Sequence, residues 1–253
     1  MRAVLLLAAV TGCDGLFQIT HLDQPVVDGA VSDRGLAPDA PVCGANDEDG
    51  DGLFDGCDPC PANAANGADD DGDGIGSACD PDPTVPDDQL AAFFAFADNA
   101  GVSSVNASFS GGAVILGDGG KLTTSQSYTQ IEAVVVTTKN LDSALAIVMA
   151  DAGRTVRCEV TKVACSAMTA SQGCLSLTTD AGMTSSATPL DITESVVLSL
   201  AHDASNGNGV TCRLVAAGAG SPINVPGPIP DGPVTLEGAS HVIVDNLSVY
   251  RKL

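Results

Sequence analysis

HVIVDNLSVY, residues 241–250, carries Val242, Ile243, Val244, Leu247 and Val249 within ten positions and follows the turn-forming Gly238-Ala239-Ser240. A short run rich in branched apolar residues, bounded by turn formers, reads as a β-strand, because such side chains fit a pleated surface and crowd a helix. Working back from it, the same grammar recurs in QIEAVVVTT (130–138), TVRCEVT (155–161) and GVTCRLVA (209–216). Candidate strands lie near Ala91–Ala97, Val105–Phe109, Ala113–Gly117, Gln130–Thr138, Ala144–Ala150, Thr155–Thr161, Cys174–Thr178, Ser195–His202, Gly209–Ala216, Val234–Glu237 and His241–Tyr250. One segment, DQLAAFFAF (88–96), also fits a short helix, and periodicity alone does not decide between the two. About eleven strands with no long helix predict an all-β antiparallel sandwich over residues 88–253.

Composition agrees. The chain has 253 residues, no Trp, two Tyr and six Phe, so its core must be built from Val, Leu, Ile and Ala. The formal net charge of -22 is unevenly spread. Residues 14–88 hold nineteen acids against Arg34 alone (-18), residues 89–253 hold thirteen acids against eight bases (-5), and Arg2 restores the total. An acidic segment thus precedes a nearly neutral body. With no basic patch to displace counterions from phosphates, nucleic acid is excluded as a partner.

Most of that acidity lies in CGANDEDGDGLFDGCDPCPANAANGADDDGDGIGSACDPD, residues 43–82, where twelve carboxylates occur between Asp47 and Asp82 without a Lys or Arg. Calcium takes six to eight oxygen ligands, and a loop that supplies them from alternate residues needs glycine where the backbone turns sharply. In the first loop Asp47, Asp49 and Asp51 occupy positions 1, 3 and 5, Gly52 position 6, the Leu53 carbonyl 7, Asp55 9 and Asp58 12. Asp69, Asp71, Asp73, Gly74, Ile75, Ser77 and Asp80 repeat the pattern. The flanks are Gly, Pro, Asn and Cys rather than helix formers, which excludes an EF-hand.

These residues resemble thrombospondin type 3 repeats over 43–83: Cys60-Pro61, then asparagines, then DDDGDGIGSACD ending on Cys79-Asp80. The resemblance implies an irregular segment stabilised by structural Ca2+ and by disulfides, with Cys60 joined to Cys79 and Cys43 left to Cys57. It also implies a weaker second site, since Ser77 stands where that family usually has Asp. Without metal, self-repulsion and scarce apolar surface predict an extended chain; with it, a stiffened spacer. The sandwich has a fainter resemblance of its own. FAFADN, QIEAVVVTT and HVIVDNLSVY are similar to the concanavalin A-like (LamG-like) jelly roll, in which first and last strands lie side by side; an immunoglobulin-like sandwich is the alternative.

Nine cysteines are odd in number, and the start of the chain singles one out. Residues 1–12, MRAVLLLAAVTG, have one cation, a short apolar run and small residues before Cys13, the pattern of an export signal too short to span a bilayer. Val10-Thr11-Gly12-Cys13 resembles a bacterial lipobox, which implies lipidation at Cys13 and attachment to a membrane. The remaining eight suit four disulfides in an oxidising compartment. Cys158, Cys165, Cys174 and Cys212 allow three pairings; VRCEV and VTCRL look like paired strands, which favours Cys158 with Cys212 and Cys165 with Cys174. Residues 13–42, rich in Asp, Gly and Pro, read as a flexible linker with a reach of roughly 30 Å. The expected location is the bacterial cell envelope, at the outer membrane or cell surface rather than the inner membrane.

A catalytic site is not legible. Glycosidases need two carboxyl groups flanking the scissile bond, yet Glu132 stands alone in its strand, Glu159 lies between Cys158 and Val160, and Asp245 has no acid two residues away. No G-x-S-x-G elbow occurs, and His202 and His241 are isolated. The expectation is therefore a non-enzymatic body that binds a glycan or a surface protein, with Asn206–Gly209 and Pro222–Pro233 as candidate binding loops. Alternatives are an adhesive envelope protein and a polysaccharide-degrading enzyme.

Overall fold

The computed structural model describes residues 46–137, 141, 144–161, 173–188, 196–203, 209–215 and 222–252. Among them lie thirteen strands: β1 Asp88–Phe94, β2 Val102–Ser110, β3 Ala113–Thr124, β4 Ile131–Thr137, β5 Ala144–Ala150, β6 Thr155–Thr161, β7 Gly173–Thr179, β8 Gly182–Thr188, β9 Val196–Asp203, β10 Gly209–Val215, β11 Ile223–Pro226, β12 Val234–Gly238 and β13 Val242–Lys252. Every pairing between them is antiparallel.

The ladder runs β11-β10-β9-β4-β13-β3-β12-β5-β6-β7-β8, with β1 beside β13 and β2 beside β3. It folds into two layers because β3 serves both. Val114–Leu116 pairs with Val242–Val244 of β13, whereas Gly120–Thr123 pairs with β12. Between the two halves the chain bends at Gly117–Gly120, opposite a bulge between Val105 and Ala107 of β2. A Cβ on Gly120 would sit 2.9 Å from the Asn106 carbonyl oxygen, so this corner admits only glycine.

Alternation fills the space between layers. Leu145, Ile147 and Met149 of β5 and Val156, Cys158 and Val160 of β6 point inward, facing Val196, Leu198 and Leu200 of β9 and Val210, Cys212 and Leu214 of β10; all are buried. Each such side chain contributes roughly 1.5–3 kcal/mol by leaving water. Cys158 and Cys212 form a disulfide. The pairing is as expected but its reason differs: β6 pairs with β5 and β7, β10 with β9 and β11, and the bond crosses between layers rather than joining neighbouring strands.

The eleven candidate strands all correspond to observed ones. The stretch DQLAAFFAF is strand, not helix, at its start: β1 runs from Asp88 to Phe94 and pairs with Lys252 through Leu247, so first and last strands are neighbours. Two strands have no counterpart among the candidates. GMTSSAT (β8) and INVP (β11) end the ladder on its two sides; with one paired neighbour each, they need no continuous apolar face. Asn206 and Ala216 lie outside the described residues, and part of the expected loop Pro222–Pro233 is β11 itself.

Residues 46–87 contain no strand, only a single 3-10 turn at Asp55–Cys57 and a succession of bends. They belong to the same compact unit as the sandwich.

Candidate metal centre

Each acidic loop closes on its own first aspartate. Asp47 Oδ1 accepts from Gly50 N at 2.8 Å and its Oδ2 from Gly52 N at 3.1 Å. Asp69 does the same with Gly72 N at 2.7 Å and Gly74 N at 3.0 Å. Asp49 and Asp51 accept from Asp51 N and Leu53 N, and Asp71 and Asp73 from Asp73 N and Ile75 N. Gly52 and Gly74, at position 6 of each loop, have φ of 95° and 97°, a left-handed conformation that side chains with a Cβ rarely adopt. This backbone turns the carboxylates of positions 1, 3 and 5 toward one another. In each loop one oxygen from each of the three lies within 4.8 Å of the others. Asp49 Oδ2 and Asp71 Oδ2 are buried with no hydrogen-bond partner. Like charges so placed repel unless a cation lies among them, so these groups can coordinate a divalent ion.

The later positions behave differently. Asp55 is occupied by Asn46 Nδ2 at 3.0 Å and Glu48 N at 2.9 Å. Asp58 is buried and accepts from Cys60 N at 2.7 Å; burial, partly offset by that bond, pushes its carboxyl up. Ser77 Oγ donates to the Ala68 carbonyl and lies 3.1 Å from Asp70 Oδ2. None of the three joins a carboxylate cluster. Leu53 is exposed and Ile75 buried. Asp80 does join one, with Asp73 and with Asp88, a residue outside both loops. Asn66 was also missed: its Nδ2 donates to Asp51 Oδ2 at 2.6 Å, linking the loops across fifteen residues.

Cys60 and Cys79 are disulfide-bonded. Cys57 and Cys174 are in disulfides as well; the partners expected for them, Cys43 and Cys165, lie outside the described residues, as does Cys13.

The segment does not stand clear of the sandwich as a spacer would. Composition understates its apolar content: Cys60, Pro61 and Ile75 are buried. Tyr250 Oη donates to the Cys79 carbonyl at 3.2 Å, and Asp88 N donates to Asp73 Oδ2 at 3.2 Å. A cavity of about 460 Å³ is left between Cys60–Asn63 and Ala78–Asp80 on one side and Val134, Val136, Val197, Asn246, Ser248 and Tyr250 on the other. The segment therefore lies over the outer face of β13, β4 and β9.

Glu132 belongs to that face by alternation with Val134 and Val136, and its cross-strand neighbours are Ala201 and Tyr250. Burial raises its carboxyl above the usual range, against the pull of Lys252, a hydrogen bond from Ser199 and Arg213. Burial likewise pushes Tyr250 up to about 12. Asp80 and Asp88 are both raised to about 6, chiefly by burial. His202 is near the end of β9 and buried, and its Nδ1 has no hydrogen-bond partner. His241 is exposed.

No protein-family model matches the chain, and neither does any curated protein. Solved structures do match in fold. Porphyranase B from Zobellia galactanivorans is 9% identical, with 65% of this chain and 92% of that one covered, at a TM-score of 0.46. The Bacillus licheniformis β-glucanase is 9% identical over 65% and 99%, at 0.45. A legume lectin-like domain from Entamoeba histolytica is 8% identical over 60% and 90%, at 0.46. The chain thus has an all-β, disulfide-bonded sandwich fold resembling glycoside-hydrolase and lectin-like domains. One expectation is corrected: a body without enzymatic activity was read from the absence of paired acids along a strand, and that absence does not exclude a catalytic site. The physical reason is that carboxyls can converge from separate elements, which strand-by-strand reading does not register.

Proposed function

We infer that this chain is an exported surface protein in which Ca2+ orders residues 43–83 against a carbohydrate-directed β-sandwich. The observation that carries the reading is the duplication: Asp47–Leu53 and Asp69–Ile75 repeat one hydrogen-bond set, one glycine conformation and one carboxylate cluster. Flexible cages made wholly of protein oxygens favour Ca2+ over Mg2+, which demands stricter geometry and retains water. The segment would then be a thrombospondin type 3-like element bound to the sandwich. Calorimetric titration of the full chain with CaCl2 tests this. Saturable binding and a melting temperature that rises with Ca2+ are expected, with about 2.7 kcal/mol gained at a hundred times Kd. No heat and no shift at millimolar Ca2+ would refute it.

The sandwich offers a sugar-sized site next to the first loop. A cleft of about 410 Å³ is lined by Phe93, Phe94 and Phe96 together with Asn46, Asp55 and Asp98. Rings beside an amide and carboxylates suit a glycan, whose faces are apolar and whose edges carry hydroxyls. Because Asp55 holds Asn46 and Glu48 of the first loop, sugar binding there should require Ca2+, and a glycan array read with and without chelator reports it. A hydrolytic alternative needs two carboxyl groups open to one sugar, and turnover assays of the full chain on polysaccharides test it.

Export and anchoring complete the proposal. Disulfides of the kind formed at Cys60–Cys79 and Cys158–Cys212 persist in oxidising compartments. Signal cleavage after residue 12 and lipidation of Cys13 would place the protein on the outer membrane or cell surface, with residues 13–42 as tether. Intact mass of the membrane-extracted protein, compared with Cys13→Ala, tests the anchor.

A further inference from the structure

Asp88 opens β1 and lies outside both acidic loops, eight residues beyond the last position of the second. Its side chain is wholly buried. Lys252 Nζ meets its Oδ2 at 2.7 Å, but Oδ1 is buried with no hydrogen-bond partner. One oxygen from each of Asp73, Asp80 and Asp88 falls within 4.8 Å of the others. The backbone holds them there, since Asp88 N donates to Asp73 Oδ2 at 3.2 Å and Asp80 Oδ1 accepts from Asp82 N at 2.8 Å. Lys252 does not balance this charge. It is shared with Asp87, whose Oδ1 lies 3.5 Å away, and it also faces Glu132. Asp88 is buried and Asp73 and Asp80 are half-buried, so three carboxylates against one shared ammonium leave a net negative cluster in which one Asp88 oxygen has no hydrogen-bond partner.

We propose that Asp73, Asp80 and Asp88 hold a divalent cation that joins the second acidic loop to the first strand of the sandwich. The ligand class is a hard cation, Ca2+ by the same oxygen-only chemistry, and the inference rests on the calcium reading of the loops. It goes further in assigning the ion a mechanical role. Asp73 belongs both to the cluster of positions 1, 3 and 5 and to this one, so metal in the loop and attachment to β1 are coupled through one side chain. β1 pairs with β13, and β13 carries Tyr250, which holds Cys79. Cation uptake therefore closes the segment over the outer face of β13 and β4, and cation loss releases it at that edge.

The test uses the full-length protein, Asp88→Asn and, as a control in the first loop, Asp49→Asn, each titrated with CaCl2 and followed by hydrogen exchange. Asp88→Asn should weaken one calcium step at least tenfold and abolish calcium-induced protection in residues 69–80, while the first-loop step persists. Asp49→Asn should do the reverse. Because Asp88→Asn leaves Lys252 with less charge to face, the double variant Asp88→Asn/Lys252→Met removes the buried pair together and should lose the same calcium step. Wild-type calcium uptake with unchanged steps and unchanged protection in both Asp88 variants would overturn the clamp and leave the loop reading intact. A wild-type protein that takes up no calcium would overturn both.

Discussion

Replacing Cys158 and Cys212 together by alanine removes the bond that crosses between the two layers. The bonded residues are 54 apart in sequence. Cross-linking a loop of that length removes denatured-state entropy of about 14 cal/mol/K, or about 4 kcal/mol at 25 °C. For a domain of this size a loss of that order lowers the melting temperature by about 8–16 °C. Both sulfurs are buried, Cys158 Sγ at 3.3 Å from the Ser199 carbonyl oxygen and Cys212 Sγ at 3.6 Å from that of Ser176, so the small voids left add to the loss rather than offset it. Urea denaturation of the double alanine variant against wild type, in saturating calcium, measures the difference directly. Removing Cys60–Cys79, whose partners are 19 apart in sequence, costs about 3 kcal/mol by the same relation, but that loss should fall on the acidic segment and leave the sandwich transition in place. A Cys158→Ala/Cys212→Ala variant less than 1 kcal/mol weaker than wild type would refute the argument that this bond limits the freedom of the unfolded sandwich.

Ile75→Ala should open the segment without unfolding the body. The side chain is 3% exposed, and truncating a buried Ile costs about 2–5 kcal/mol, so hydrogen exchange should accelerate in residues 60–80 while β5, β6, β9 and β10 keep their protection; uniform acceleration would refute it. Glu132 predicts a pH dependence with a definite sign. Its folded carboxyl is raised above 4.5 by burial, against Lys252, Ser199 and Arg213, so its contribution is complete below 4.5 and is lost as pH rises through the folded value. The stability of wild type relative to Glu132→Gln, from urea curves in saturating calcium, should therefore fall as pH rises above 4.5, and parallel curves would show that Glu132 is not held in this way.

The limits of sequence reading show in particular residues. The DxDxDG register made Asp47, Asp49, Asp51, Asp69, Asp71 and Asp73 legible, because a local loop depends on its own glycines. Asp88 was invisible: it is one of a pair of acids after a proline-rich exit, and only the return of β13 alongside β1 buries it. Asp55 and Ser77 were read as ligands from position alone, and their hydrogen bonds to Asn46, Glu48, Ala68 and Asp70 had no local signal. Charge density argued for an extended spacer, and Ile75, Cys60 and Pro61 were too few to signal that the segment would lie on a sheet.

By itself the sequence determined the strand alternation, the all-β class, the repeated turns of the two acidic loops and the even count of cysteines beyond Cys13, since each depends on residues close together in the chain. The bend of β3 at Gly117–Gly120, the crossing of Cys158 to Cys212 between layers, the covering of Glu132 and the meeting of Asp73, Asp80 and Asp88 were decided only by the tertiary structure. They join residues far apart in sequence, and such contacts are set by how layers pack once the strands exist, for which no local pattern carries a signal.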